Sequence, residues 1–369
     1  MSMELIPVST PTPTGDGLQA FAGYNPTNGT IQMRDQDTGQ LYTLGLAPTD
    51  VHIDSALATY CAGYNQGDVA LADQICPAVP VPRMSDYFYT WDPKDAFEYV
   101  DRMEMAAGAL NGVPEISPRL SSTQFATKCF AIAGVVPVEL QANADAPLNV
   151  QMKATSRAMN AHILRRELNV KTLLDTSSNW TGGYSQAVTA KWNGGAGGDP
   201  IDDINAMIEA APVEPNYLVM SRTTYRYFVK HPAVQKFIVK GDLSSSLLER
   251  PSSAGKLAAL LELPTILVGK MKYRSAAATY SYIWGTSTIG IYQEPGVPTD
   301  GERVTTCKNF RWTAADVSPD GSSVGGYYVR RYFDPKRGPR GAWVVVVVVN
   351  EIPTMTSVLC GGRITGCTA

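Results

Sequence analysis

An α+β fold is predicted by three features of this 369-residue sequence. Residues 150–174 keep one narrow apolar stripe of Met152, Met159, Ile163, Val170 and Leu174. Its spacing alternates between seven and four, which marks a single long helix. Helix and strand patterns then alternate over 199–269, as in a compact α/β unit. Beyond that the chain reads as strand and reaches six consecutive valines, Val344–Val349, too apolar for a strand with one wet face.

Size and composition bound the function. At roughly 100–200 residues per domain the length suggests two or so structural units. An apolar share of 44% supplies real cores, and a formal charge of −3 argues against affinity resting on overall positive charge. The sequence has no run of 18 apolar residues, and its start, MSMELIPVSTPTPTG, lacks a signal-peptide layout. A soluble protein with no membrane partner is expected.

Residues 1–50 hold Pro7, Pro11, Pro13, Pro26 and Pro48 and no sustained helical period, so they read as an arm rather than a core. Too few large apolar residues are present to offset an ordering entropy of about 1–2 kcal/mol per residue. Residues 51–76 hold a short helix-like stretch, DSALATYCAGYNQGDVALADQI, broken at Gly67, and Pro77, Pro80 and Pro82 then force an extended path. From Ser85 to about Gly134 the pattern is a long hairpin, with DYFYTWDP on one arm, SSTQFATKCFAIAG on the return, and AAGALNGVPEISP at the tip. A two-stranded ribbon is marginal alone in water, so this one needs a surface to lie on.

The long helix carries Lys153, Arg157, Arg165, Arg166 and Lys171 on its other faces. They are either a solvated face or contacts to acidic groups of neighbouring subunits. In the α/β unit, Asp199 is placed to cap a helix with Pro200 at its first position and Ile201, Ile204, Ile208 and Ala211 on its apolar face. A buried strand YLVM follows, then a helix capped by Ser221 that stops at Pro232, a helix at KLAALLEL and a strand at TILVG. The strands SYIWG, TIGIYQ, VTTCKNFRW, GYYVRRYF and AWVVVVVVN complete the chain.

Little points to catalysis. His52, His162 and His231 are far apart, no HExxH or phosphate-binding GxxxxGK[ST] occurs, and the glycines at 194–198 lack a dinucleotide-site context. The six cysteines form no CxxC. Reduced, packed thiols are expected, with a disulfide between Cys360 and Cys367 left open. Gly321-Ser322-Ser323-Val324-Gly325 fits the GxSxG pattern, but its flanks read as a hairpin turn rather than a strand–helix elbow, so a serine hydrolase using Ser323 is a remote alternative. Catalytic residues, cofactors and metal ligands are therefore read as none. The basic residues Arg330, Arg331, Lys336, Arg337 and Arg340 fit intersubunit salt bridges better than nucleic-acid phosphates, given the acidic total.

The order of these parts resembles the major capsid proteins of tailed bacteriophages, the HK97 fold. The resemblance runs over roughly 80–330, through VVPVELQANADAPLNV, Arg165-Arg166-Glu167, LLDTSSNW, AKWN…GDPIDDINAMI, EPNYLVMSRTTYRYFVKHPAVQKFI, LAALLELPTILVGK and YIWG. It implies an N-terminal arm over 1–50, the start of a P-domain over 51–82, an E-loop hairpin over 83–134 and a P-domain with its spine helix over 135–198. An A-domain would follow over 199–320, with return strands over 321–369.

It implies self-assembly into hexamers and pentamers of an icosahedral shell around double-stranded DNA bound without sequence specificity, in a virion capsid assembled in the host cytoplasm. Cement or decoration, scaffolding and portal proteins are the other partners it implies. Arg102, Arg157, Arg165, Arg166, Arg330, Arg331, Arg337 and Arg340 are the candidate intersubunit contacts. Residues 103–118 contain no Lys, so non-covalent locking of the E-loop is expected. No charged helical scaffolding segment opens the chain, so the full chain is expected to persist in the particle. An encapsulin-like nanocompartment shell, with protein cargo in place of a genome, is the alternative within this fold.

Overall fold

The computed structural model describes residues 19–25, 30–35, 41–44, 51–53, 70–91, 120–143, 150–193, 198–240, 254–274, 279–293, 305–313 and 326–368. The chain forms two compact units. One gathers residues 1–62, 131–158 and 315–348, and the other 63–130, 159–314 and 349–369.

In the first unit, β1 (Gln19–Asn25), β2 (Thr30–Asp35) and β3 (Leu41–Leu44) form an antiparallel meander. The stretch that reads as an arm thus contains a small sheet of short strands. β4 (Val51–Ile53) pairs antiparallel with β16 (Tyr327–Asp334), just ahead of the stretch read as helix-like. Residues 54–69 lie outside the described residues. β16 pairs in turn with β17 (Ala342–Met355), which also takes β8 (Lys128–Pro137) as a neighbour. The β16–β17 turn needs positive φ at Gly338 and Gly341, and a Cβ at Gly341 would collide with the Phe333 ring. After β8 come a short helix, α2 (Val138–Ala142), and the first turns of α3 (Val150–Asp175).

Within the valine run of β17, Val344, Val345, Val347 and Val349 are buried and the other two half-buried, the two-sided burial that its sequence implies. The strand passes out of the first unit after Val348.

The second unit is built on a five-stranded sheet. Its order is β11 (Thr265–Gly269), β10 (Tyr217–Ser221), β14 (Thr288–Ile291), β18 (Gly361–Thr365), β9 (Ser185–Ala187). Alternate residues of β10 face opposite layers, as the two-residue strand period requires. Val219 joins Ile163, Val170 and Leu174 of α3 on one side. Leu218 and Met220 join Ile204, Met207, Phe228, Val234 and Leu257 on the other. Those last residues come from α4 (Pro200–Ala210), α5 (Arg222–Lys230), α6 (Pro232–Lys240) and α7 (Ala254–Leu260).

Both caps read from sequence form: Asp199 Oδ1 accepts from Ile201 N at 2.9 Å, and Ser221 Oγ from Thr224 N at 3.1 Å. Two details differ from expectation. Pro232 ends α5 but also starts α6, because a proline at the first helical position loses no hydrogen bond. Met207, rather than Ile208, is buried with Ile204 on α4, since the register pair Gly290 and Gly362 leaves a slot for its side chain.

The same unit contains α1 (Ala72–Ile75), β5 (Ala78–Val81), the β12 (Lys272–Arg274) and β13 (Tyr280–Tyr282) hairpin, and β15 (Cys307–Trp312). β15 lies parallel to β5 and antiparallel to residues 351–355 of β17. The ribbon consists of β6 (Ser85–Trp91) and β7 (Leu120–Ala126), in register from Ser85↔Ala126 to Trp91↔Leu120. It lies on β15: Phe125 stacks on Phe310 at 4.4 Å, and Phe88 sits 5.2 Å from the same ring. Tyr87, on the ribbon's other face, is 63% exposed. The ribbon tip, residues 92–119, lies outside the described residues.

Cys76, Cys307, Cys360 and Cys367 are buried free thiols, and Cys129 is an exposed one. Cys360 and Cys367, whose pairing was open, instead donate to Ser357 and Thr288. Among the described residues no helix is long and apolar enough to cross a membrane.

Candidate functional site

The charged residues of α3 divide between a buried cluster and open surface. The stripe itself places the buried ones: three and four residues beyond Ile163 come Arg166 and Glu167, on the side that also carries Val170. Arg166 is 3% exposed, so it is placed differently from the other arginines read as intersubunit contacts. Its Nε donates to both oxygens of Glu351 at 3.0 Å, and its Nη1 meets Asp73 at 3.0 Å. A guanidinium drawn out of water requires such partners, and its own chain supplies them. Arg311 Nη2 and Asn309 Nδ2 donate to the same Glu351, at 3.2 Å and 3.1 Å. Burial pushes the Glu351 carboxyl up, but the Arg166 and Arg311 guanidinium groups outweigh it and hold it below its ordinary pKa.

Glu167 anchors a different set. Its oxygens accept from the backbone N–H of Leu71 and of Ala72, at 3.1 Å and 2.8 Å, and from the Trp284 indole. Burial nevertheless raises its pKa, against the pull of those three donors. At the end of α3, Asp175 accepts from Arg363 at 2.9 Å and from Ser287 at 2.8 Å, and pairs with Lys171 at 2.6 Å. Burial opposes its ionisation, yet these donors lower its pKa. Every cation in these groups faces a carboxylate. The arrangement therefore braces α3 against α1, β15, β17 and β18, and offers no activated nucleophile.

The remaining candidate arginines lie elsewhere. Arg157 and Arg165 are exposed on α3, with the Arg165 guanidinium 5.6 Å from the Phe130 ring. Arg330 is exposed on β16 over Tyr332, and half-buried Arg331 stacks on Trp343 and donates to Gln151 at 2.9 Å. Arg337 pairs with Asp334 at 3.1 Å in the β16–β17 turn, and Arg340 is exposed beside it. Arg102 and Ser323 lie outside the described residues. Sequence reading missed Asp73, Glu351 and Trp284 as partners. Each comes from a segment distant in sequence, and no spacing rule links those segments to α3. Among the described residues, no three His, Cys, Asp or Glu side chains are grouped so as to hold a metal ion.

No family model matches the chain. It is 23% identical over 248 residues to the major capsid protein of Pseudomonas phage JBD67, covering 66% of this chain and 77% of that protein. The crystal structure of a phage-related protein from Bordetella bronchiseptica RB50 superposes with a TM-score of 0.63 at 18% identity, covering 86% of this chain and 98% of that one. A structure assigned as the capsid protein of a prophage of Escherichia coli CFT073 gives a TM-score of 0.50 at 12% identity, with 85% and 99% covered. The fold is the α+β, HK97-like capsid fold that the order of elements suggested.

Proposed function

We propose that this chain is a major capsid protein, which assembles with copies of itself into the hexamers and pentamers of an icosahedral shell around the double-stranded DNA of a tailed phage. The observation that carries this reading is its relatedness to a phage major capsid protein over two-thirds of its length. The physical layout supports it. The ribbon rests on β15 by one face and turns Tyr87 outward, which suits a device whose second surface comes from a neighbour.

In this reading residues 1–50 are the arm, 51–82 begin the P-domain and 83–134 are the E-loop. Residues 135–198 carry the spine helix, 199–320 form the A-domain and 321–369 return to both. The E-loop locks without a covalent bond. Arg102, Arg157, Arg165, Arg330, Arg331, Arg337 and Arg340 face neighbouring subunits or solvent, while Arg166 braces its own subunit. The role is structural rather than catalytic. The shell is built in the host cytoplasm, takes scaffolding, portal and cement proteins as partners, and meets DNA through its backbone without reading bases.

The test is the content of purified particles after expression in an infected or induced host. Packaged double-stranded DNA supports the reading; particles filled with protein cargo and free of DNA would make this a nanocompartment shell instead.

A further inference from the structure

Charge is segregated by helix in the sheet-and-helix part of the second unit. From Asp199 to Glu214 the sequence holds five acidic residues and no basic one; from Pro215 to Lys240 it holds five basic residues and no acidic one. Two of the acids have internal work, since Asp199 caps α4 and Asp203 accepts from the Trp192 indole at 2.9 Å. Asp202 and Glu209 remain exposed on α4, with Glu214 exposed just beyond it. On α5, Arg222, Arg226 and Lys230 recur every four residues along one exposed face. Among the described residues none of these six forms an ion pair within the chain.

A face kept only for solubility mixes both signs, because like charges four apart on a helix repel. Here each sign has its own helix. α4 packs over β18, with Met207 against Gly290 and Gly362, whereas α5 packs over β10 and β11. α6 packs against both helices, so the acidic and the basic helix share one layer with it.

We infer that the acidic α4 face of one copy docks on the basic α5 face of the next, so that the subunits chain head to tail. The inference rests on the shell reading and names the surfaces that close its rings. A heterologous contact of this kind gives a ring when its rotation closes. Exposed ion pairs add little affinity, but complementary flanks set orientation and encounter rate and exclude wrong pairings.

The test compares full-length wild type with three variants. One reverses the basic face (Arg222→Glu, Arg226→Glu, Lys230→Glu), one the acidic face (Asp202→Lys, Glu209→Lys, Glu214→Lys), and one carries all six changes. Shell yield is read by sedimentation and negative-stain microscopy, and folding by circular dichroism of unassembled protein. Each single-face reversal is expected to lower yield at least about tenfold, and the fully swapped chain to recover it. Wild-type yield from either reversal, or failure of a folded swapped chain, overturns the inference.

If a reversal unfolds the chain, wild-type assembly rates decide instead. A drop of about tenfold from low to molar salt supports the pairing, and a flat rate overturns it. Wild-type protein that forms no shell at all overturns the shell reading itself, and this interface with it.

Discussion

Arg166 on α3 and Glu351 on β17 are 185 residues apart in sequence, and their side chains meet at 3.0 Å with water excluded from both. Asp73, Arg311 and Asn309 complete the cluster. Its energetics are asymmetric. Forming a buried pair gains little net stability, but removing one partner strands a charge at a cost of about 3–5 kcal/mol. Arg166→Met is therefore expected to destabilise the folded subunit by up to about that amount in denaturant unfolding, because among the described residues Glu351 then keeps Arg311 as its one cation. Arg166→Met combined with Glu351→Leu is expected to cost less than the two single changes summed. Additive losses would show that the two residues are uncoupled.

Acid sensitivity follows from Glu351 and Asp175. Both have a folded pKa below the ordinary value, so their contribution is complete above the unfolded carboxylate pKa of about 4. It is lost as pH falls through the lowered folded values. Glu167 has the opposite sign: its raised pKa makes its ionised form a cost above that pKa, relieved on protonation. Unfolding free energy is expected to fall below about pH 4, with a shallower acid limb in Glu351→Gln. An identical acid limb in that variant would remove Glu351 from the explanation.

Backbone approach limits β18. Gly361 pairs with Ile291, and a Cβ at Gly361 would run into the carbonyl oxygen of Gly290, a backbone atom that cannot swing aside. Gly361→Ala is expected to destabilise by about 1–3 kcal/mol, as overpacking does. A Cβ at Gly362 would first meet Met207 Cγ, a side-chain atom rather than a backbone one, and Gly362→Ala is expected to cost less. Equal thermal shifts for the two would contradict this geometry.

Thiol chemistry separates surface from interior. Cys129 is exposed, whereas Cys76 and Cys307 are buried together and burial pushes the Cys367 thiol up to about 11. A maleimide on unassembled native protein is expected to label Cys129 and to reach Cys76, Cys307 and Cys367 only after unfolding, read by peptide mass mapping. Native labelling of Cys367 would show that its pocket opens.

Much of the fold is legible in the sequence because local rules govern those parts. The α3 stripe, the Asp199 and Ser221 caps and the two-sided burial of the valine run all depend on neighbours in sequence. What escaped depends on partners far away. β9 and β18 are short strands that exist because of the sheet edge they complete, and neither carries a strong strand pattern. Met152 belongs to the α3 stripe by spacing yet is 38% exposed, because the packed part of that stripe begins at Met159. Arg166 looked like its exposed neighbours because a buried ion pair has no signature until both ends are placed.

Electron cryo-microscopy of the purified 369-residue chain shows at once whether copies of it assemble. Closed hollow particles of uniform diameter, with six-fold and five-fold clusters of this subunit, are expected. A monodisperse monomer or small oligomer under every condition that favours assembly would contradict the shell reading.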